Sequence, residues 1–299
     1  MKLSIITVCK NAAPSIATAV RSVVSQTYPD IEYVVVDGQS SDRTLEILAP
    51  YRDRITTLIH EPDDGIYAAM NKGIRHATGE FVYFLNADDA LFDPTVIADV
   101  MAFIAQQTRC DFVYGDLHIC RSGNSLRIRK PKPPEALAEA LMLFLDGPQH
   151  PASFFKRDLF HQLGGFEEHY RIAADYAWFL KLLEHQDLAV HYIPRTIASF
   201  SLGGVSSQDQ RRSLQEVFAA QNQAPFYQQE LWKQQRIECL QAYIIALNEQ
   251  WQAAVQAQVG MPPPTAKNPV WMAIAHYIPA PVKPWIKRFI QPWMKLFIK

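Results

Sequence analysis

The stretch VYFLNADDAL, residues 82–91, decides how the chain is read. The apolar run Phe81–Leu85 has the character of a buried strand, yet it ends on Asn86 and two adjacent carboxylates, Asp88 and Asp89. Adjacent acids repel, and leaving them unpaired in a protein interior costs several kcal/mol, so a positive partner is expected there. The N-x-D-D cluster admits two readings: an Asx turn capping the helix that starts near Pro94, or a pair of ligands for a hard divalent cation.

Working outward, the same design recurs. Leu3 to Val8 and residues 31–38 (IEYVVVDG) are continuous and β-branched, as expected for parallel strands buried on both faces. Ile16, Val20, Val23 and Val24 fall at helical spacing between them. Thr44–Leu48, Ile66–His76 and Pro94–Gln107 read as further helices, and Ile55–His60, Phe81–Leu85 and Phe112–Asp116 as further strands. The order is βαβαβαβα, which predicts an open, mostly parallel α/β sheet flanked by helices. Each early strand stops at a polar cluster: TVCKNA, DGQSSDRT, EPDDG, NADD. In such sheets ligands sit outside the carboxyl ends of the strands, so the four clusters should line one rim. Neither G-x-G-x-x-G nor a P-loop is present, which removes the common dinucleotide and NTPase readings. A nucleotide diphosphate suits an acidic rim when Mg2+ or Mn2+ stands between the carboxylates and the phosphates.

Composition sets the remaining limits. The chain has 299 residues, 48% of them apolar, enough for a large core and an appendage. Its net charge of −1 argues against a nucleic-acid binder and for a small-molecule partner. Cys9, Cys110, Cys120 and Cys239 are scattered, with no C-x-x-C pair, and read as reduced core thiols of a cytoplasmic protein. The N-terminus reads as a strand rather than a signal peptide, and no apolar window is long enough to span a bilayer.

Four segments, in order and at their spacings, carry a resemblance: LSIITVCKNA (3–12), SVVSQTYPDIEYVVVDGQSSDRT (22–44), EPDDGIYAAMNKGIRHATGEFVYFLNADDAL (61–91) and GGFEEHYRIAADYAWFLKLL (164–183). Over about residues 1–205 the chain resembles a family 2 inverting glycosyltransferase of the GT-A fold, the type that builds bacterial cell-surface polysaccharides. The resemblance implies that Asp88 and Asp89 are the D-x-D-type motif for Mn2+ or Mg2+, with Asp88 also on the donor side. It implies that Thr7 and Asn11, in the loop after the first strand, and Asp37 hold the base and ribose of a nucleoside-diphosphate sugar, most simply UDP-linked. Asn71 and Gly73 match the segment near the donor phosphates. Two departures stand out: Gly38 where relatives often carry a second acid, and Ala68 where many carry Asp.

Inversion requires a base facing the acceptor hydroxyl, and Asp175, opening a helix after Gly164-Gly165-Phe166, matches that position. Its other reading is a helix N-cap. In DGPQHPASFF, His150 is an acceptor-side or Asp175-neighbouring candidate, or a structural histidine. Trp178 is either a platform for a sugar ring or core. GGVSSQDQRR (203–212) reads as a loop over the donor with Arg211 and Arg212 near phosphate; it superficially resembles Q-x-x-R-W of processive synthases, but Arg212 replaces the Trp, which favours transfer of one sugar.

The expected organisation is a catalytic domain at 1–212, a helical extension at 213–258, and a linker and tail at 259–299. No Asp or Glu follows Glu249, and the tail PVKPWIKRFIQPWMKLFIK mixes cations with aromatics, as in segments that lie in a bilayer interface. The expected acceptor is a glycan or a polyprenyl-diphosphate-linked glycan, met by a peripheral protein at the cytoplasmic face, and the extension offers a surface for a homo-oligomer. Two rival readings share the layout. A sugar-phosphate nucleotidyltransferase needs a Gly-rich cationic loop after the first strand, which TVCKNAAPS lacks; a non-catalytic nucleotide-sugar-binding scaffold is argued against by Asp88, Asp89 and Asp175 occurring together.

Overall fold

The computed structural model describes residues 1–121, 124–142, 147–185, 187–204 and 209–259. In chain order its elements are β1 (Leu3–Cys9), α1 (Ile16–Val24), β2 (Ile31–Asp37), α2 (Thr44–Leu48), β3 (Thr57–His60), α3 (Ile66–His76), β4 (Phe81–Phe84), β5 (Ala90–Leu91), α4 (Val96–Ala105), β6 (Phe112–Arg121) and β7 (Asn124–Arg129). Then come α5 (Leu137–Met142), β8 (Ser153–Lys156), α6 (Asp158–Gln162), α7 (Ala174–Leu182), β9 (Val190–Ser201), α8 (Gln210–Gln223), α9 (Pro225–Gln228) and α10 (Glu230–Val259). Contacts divide the chain into two units, Met1–Arg236 and Ile237–Lys299. The first unit therefore reaches past α8 and α9. In the second, α10 runs on to Val259 with Ile244 and Ile245 exposed. The linker and basic tail read from 260 onward lie outside the described residues.

The sheet order is β3-β2-β1-β4-β8-β6-β9-β5, with β7 paired to β6. β3, β2, β1 and β4 are mutually parallel, as the four polar-ended strands require. Strand β8 enters between β4 and β6 antiparallel to both, which leaves β6 running in the direction of β4. Every residue of β1 is buried, and so are Ile16, Ala19, Val20 and Val23 of α1, the i, i+3, i+4, i+7 stripe that seats the helix on the sheet. Helix α3 packs on the other side, where Gly73 permits contact: a Cβ there would lie 2.5 Å from Ile6 Cγ2.

At the end of the sheet opposite the polar rim, Glu32 fixes the strand register. Its carboxylate accepts from Thr78 N–H and Thr78 Oγ1, both at 2.7 Å, from Lys2 Nζ at 3.1 Å, and from the Ser4 hydroxyl, whose oxygen in turn accepts from Gly79 N–H at 2.8 Å. Burial pushes the pKa up, but these donors outweigh it and hold Glu32 at about 2, against 4.5 normally. A depressed carboxylate contributes stability above its unfolded pKa, lost as pH falls from about 4.5 to about 2. Glu32→Gln is expected to cost about 3 kcal/mol at pH 7. Urea unfolding across pH should show the gap between variant and parent closing over that acidic window.

Candidate active site

The carboxyl ends of β1, β2, β3 and β4 form the rim, and two loops are laced together above the first pair. Asn11 adopts φ 52° and its Oδ1 accepts from Ser41 N–H at 2.9 Å, while Asn11 N–H donates to Ser40 Oγ at 2.7 Å. Ala13 N–H donates to Asp42 Oδ2 at 3.0 Å. Beneath them Asp37 has no exposed surface and accepts from Ser40 N–H at 2.9 Å, from the Ser40 hydroxyl, from Cys9 Sγ at 3.5 Å, and is paired with His60 Nδ1 at 2.6 Å. Burial raises the Asp37 pKa, and the hydrogen bonds more than offset it, leaving the carboxyl below its usual range. Its oxygens are thus spent on ordering the rim, and the more accessible group is His60, with 42% of its side chain exposed. The Gly38 departure also has a structural answer. A Cβ at 38 would come within 2.0 Å of Asp63 Oδ2, so the Asp63 carboxylate fills the space a side chain would occupy there.

At the end of β4 the acid pair separates. Asp88 is exposed, with the backbone of Gly204 close enough that a Cβ would lie 3.0 Å from its Oδ2. Asp89 is 1% exposed; Oδ1 accepts from Ser201 N–H at 3.0 Å and Oδ2 from Asn86 Nδ2 at 3.1 Å. Burial first, then the neighbouring Asp88 charge, lift Asp89 from 3.8 to about 7, against the pull of Ser201, His150 and Asn86. Asp88, although its side chain meets solvent, is raised as well, by the desolvating protein that surrounds the rim.

Asn86 carries the connection onward. Its amide nitrogen lies 3.1 Å from both Asp89 Oδ2 and His150 Nε2, and an amide nitrogen can only donate. His150 Nε2 is therefore the acceptor, and Nδ1 donates to Asp175 Oδ2 at 2.8 Å. Asp175 Oδ1 accepts from Tyr176 N–H at 2.8 Å and lies 3.0 Å from the Tyr67 hydroxyl. Burial opposes ionisation of Asp175, but the His150, Tyr176 and Tyr67 bonds prevail and hold its pKa below the ordinary value. With 22% of its side chain exposed, Asp175 is held toward its ionised form at a point that still meets solvent. The result is one hydrogen-bonded string, Asp89–Asn86–His150–Asp175, joining the acid pair to the candidate base.

The segment before Asp175 is held from the helical side. Glu216 of α8 accepts backbone N–H bonds from Arg171 at 3.0 Å, Ile172 at 2.7 Å and Ala173 at 3.1 Å, and pairs with Arg212 Nε at 2.9 Å. Arg171 Nη1 donates to Asp64 O at 2.8 Å, linking this segment to the EPDDG loop and the small pocket beside Ala68.

Several expected site residues sit elsewhere. Thr7 lies inside β1 rather than in the loop after it, fully buried, its hydroxyl accepting from Tyr33 OH at 3.1 Å. Asn71 faces the 164–168 segment: Nδ2 donates to Phe166 O at 2.8 Å and to Glu168 Oε1 at 2.9 Å, and Oδ1 accepts from Phe166 N–H at 2.8 Å. Gly73 faces the sheet, as described. Trp178 is core, 1% exposed, stacked on Phe160 at 4.6 Å with its Nε1 donating to Gly164 O, so no sugar ring reaches it. Arg211 and Arg212 belong to the first turn of α8 rather than to a loop, and Arg212 is spent on Glu216. Residues 205–208 of the expected loop lie outside the described ones. All four cysteines are free, Cys9 and Cys110 buried, Cys120 and Cys239 only partly so.

The glycosyl transferase family 2 model matches residues 4–164, more than half of the chain. The chain belongs to that family. A PGL/p-HBAD biosynthesis glycosyltransferase of Mycobacterium bovis is 35% identical over 208 residues, covering 68% of this chain and 78% of its own. This chain, too, is a glycosyltransferase. Among solved structures, Pyrobaculum calidifontis mannosyltransferase PcManGT, in complex with GDP-Man and Mn2+, aligns with TM-score 0.62 at 20% identity, covering 96% of this chain and 83% of that one. S. aureus TarS 1-349 in complex with UDP aligns with TM-score 0.59 at 22% identity, covering 75% and 67%. These likenesses show the GT-A fold. The family match ends before Asp175 and Glu216, so the base side of the site is read from this chain's own geometry.

Two outcomes follow. Glu216→Ala should lower kcat about tenfold or more while leaving KM for the nucleotide sugar unchanged, and Glu216→Gln, which keeps an acceptor oxygen, should recover part of the loss in steady-state kinetics. Trp178→Ala should cost about 3 to 5 kcal/mol in stability, seen in denaturant unfolding, with no selective loss of sugar affinity in the folded fraction.

Proposed function

We propose that the protein is an inverting transferase that moves one sugar from a nucleoside-diphosphate sugar, UDP-linked, to a hydroxyl of a glycan or polyprenyl-diphosphate-linked glycan. The observation that carries this reading is the string from Asp89 through Asn86 and His150 to Asp175. It supports an ionised carboxylate, fixed in orientation and hydrogen-bonded through to an acid pair that no cation among the described residues is paired with.

Asp88 and Asp89 fit a divalent cation. One carboxylate is exposed and the other is buried with its pKa raised to about 7, and the buried Asn86 Oδ1 beside them has no hydrogen-bond partner among the described residues. Mn2+ or Mg2+ bound there would supply positive charge for the departing diphosphate. Such a cation takes one or two ligands from the protein and the rest from phosphate and water, and among the described residues no larger group of His, Cys, Asp and Glu side chains converges.

Asp175 takes the proton from the acceptor hydroxyl as that oxygen forms its bond to the anomeric carbon. The bond from that carbon to the diphosphate oxygen breaks on the opposite face, and the configuration inverts. His150, protonated at Nδ1, keeps Asp175 ionised before the step and aims it; with Nε2 held by Asn86, the abstracted proton remains on the carboxyl. The nucleotide is held where the 10–15 and 38–43 loops are laced, next to His60 and Asp63. A UDP donor is supported by TarS complexes with UDP and UDP-GlcNAc, and Mn2+ by the PcManGT complex and by GalNAc-T7 with UDP, GalNAc and Mn2+. No helix among the described residues is long and apolar enough to cross a membrane, and contact with a lipid surface is assigned to the tail beyond 260.

Asp175→Asn is expected to reduce turnover at least 100-fold while UDP binding, followed by calorimetry, stays intact. Retained turnover would overturn the base assignment. Asp88→Ala should abolish the gain in UDP affinity that Mn2+ confers on the parent protein.

A further inference from the structure

The β6–β7 hairpin carries a surface that the chemistry above does not use. Between Asp116 and Glu135 there is no acid, and five cations are present: Arg121, Arg127, Arg129, Lys130 and Lys132. Arg121, Arg127, Lys130 and Lys132 are exposed, and none is ion-paired to a described residue. Cations on an edge strand are ordinary, since they discourage edge-to-edge pairing. Large aliphatic side chains beside them are not: Leu126 is 53% exposed and Ile128 49%, and Phe92, standing edge-on to His118 of β6, is 41% exposed. Isolated exposed hydrophobics mean little, but Leu126 and Ile128 share one side of the edge strand β7, Phe92 stands beside them against His118, and cations flank them along both sides of the strand, so the edge as a whole is amphipathic.

Its position gives the face a purpose. β6 runs parallel to β4, and Tyr83 and Val113 lie level through their shared partner Phe154, so β6 continues for roughly 20 Å of strand past the end of β4, as far as Arg121. At that far end Cys120 pairs with Ser201, whose N–H donates to Asp89. The hairpin therefore projects from the catalytic rim itself, on the side of the acid pair.

We propose that the β6–β7 hairpin is a docking surface for an anionic lipid bilayer, with Arg121, Arg127, Lys130 and Lys132 meeting headgroups and Leu126 and Ile128 entering the interface. This goes beyond the reading above, which places membrane contact in the tail alone. A purely electrostatic polyanion site would not need the two aliphatics, and a purely apolar protein contact would not need a run of cations free of acids. A bilayer interface uses both, with about 1 kcal/mol from each cation near the surface.

Flotation of the full-length protein with vesicles tests this, using phosphatidylcholine alone or mixed with phosphatidylglycerol. Three double variants are compared: R127Q/K130Q and L126S/I128S in the hairpin, and K287Q/R288Q in the tail. UDP binding and the unfolding midpoint serve as fold controls. Wild type should bind the anionic vesicles and not the neutral ones. R127Q/K130Q should weaken partitioning roughly 30-fold, and L126S/I128S should leave weak binding that moderate salt abolishes. Wild-type partitioning in either hairpin variant overturns the proposal, and if K287Q/R288Q then loses binding, the tail reading survives it. No vesicle binding by the wild type removes both. Retention on heparin without vesicle binding would make the hairpin a polyanion site and overturn the proposal equally.

Discussion

A buried carboxylate at the end of a strand must be satisfied or neutralised, and the way Asp89 is satisfied organises the site. Its two oxygens are taken by groups from different parts of the chain, the Ser201 N–H at the end of β9 and the Asn86 amide at the end of β4. The first bond holds the last turn of the sheet over the acid pair. The second orients Asn86, whose remaining amide hydrogen faces His150. Because an amide nitrogen has no lone pair to offer, that contact fixes which imidazole nitrogen carries the proton, and so fixes the donor presented to Asp175. A constraint on one carboxylate thereby sets the ionisation and aim of another.

The second constraint comes from outside the sheet. Three successive backbone N–H groups ahead of α7 point at one acceptor, and Glu216 supplies it from α8. Charge-assisted bonds of this kind are stronger than neutral ones, and burial of the carboxylate is outweighed by its donors, which leave the Glu216 pKa below normal. Gln221 Nε2 also donates to the Tyr176 hydroxyl at 2.7 Å, one turn further along α8. Helix α8 is thus part of the frame of Asp175 and belongs with the sheet to one compact unit, Met1–Arg236.

The parts of this structure that were legible in sequence are those encoded locally. Four apolar, β-branched or aromatic runs ending in polar clusters specify a parallel sheet and its rim, since a strand buried on both faces and a ligand-bearing carboxyl end both leave contiguous signatures. Asp88, Asp89 and Asp175 stood out in sequence as acids at the start of a loop or helix, and the structure links Asp89 to Asp175 through Asn86 and His150. What was hidden is non-local. Glu216 lies in a Gln-rich helix with nothing to mark it, and its donors are backbone groups that have no sequence identity. Asn71 and Gly73 lie in the segment that the resemblance set near the donor phosphates, but helical phase turns them toward Phe166 and Ile6 rather than the rim. Trp178 lies in α7, where its partners Phe155 and Phe160 come from β8 and α6, and an aromatic reads the same as a platform or as core until those partners are placed. The insertion of β8 antiparallel between β4 and β6 has no local signal either; its four residues gain strand identity only from the two strands beside them.

A net charge of −1 conceals a strongly divided rim. Its floor holds Asp37, Asp63, Asp88 and Asp89, while the hairpin that rises from the same side over the next strand is uniformly cationic. A uniform field would serve only one of the two substrates. On the proposed reading, an acidic floor would repel a free diphosphate and accept it together with a divalent cation, tying donor binding to metal loading. An anionic acceptor, or the surface that carries it, would meet the opposite sign a short distance away. Separating the two fields along β6, rather than balancing them locally, lets one sheet edge receive both without either neutralising the other, because at physiological ionic strength charges more than about 8 Å apart across solvent are largely screened.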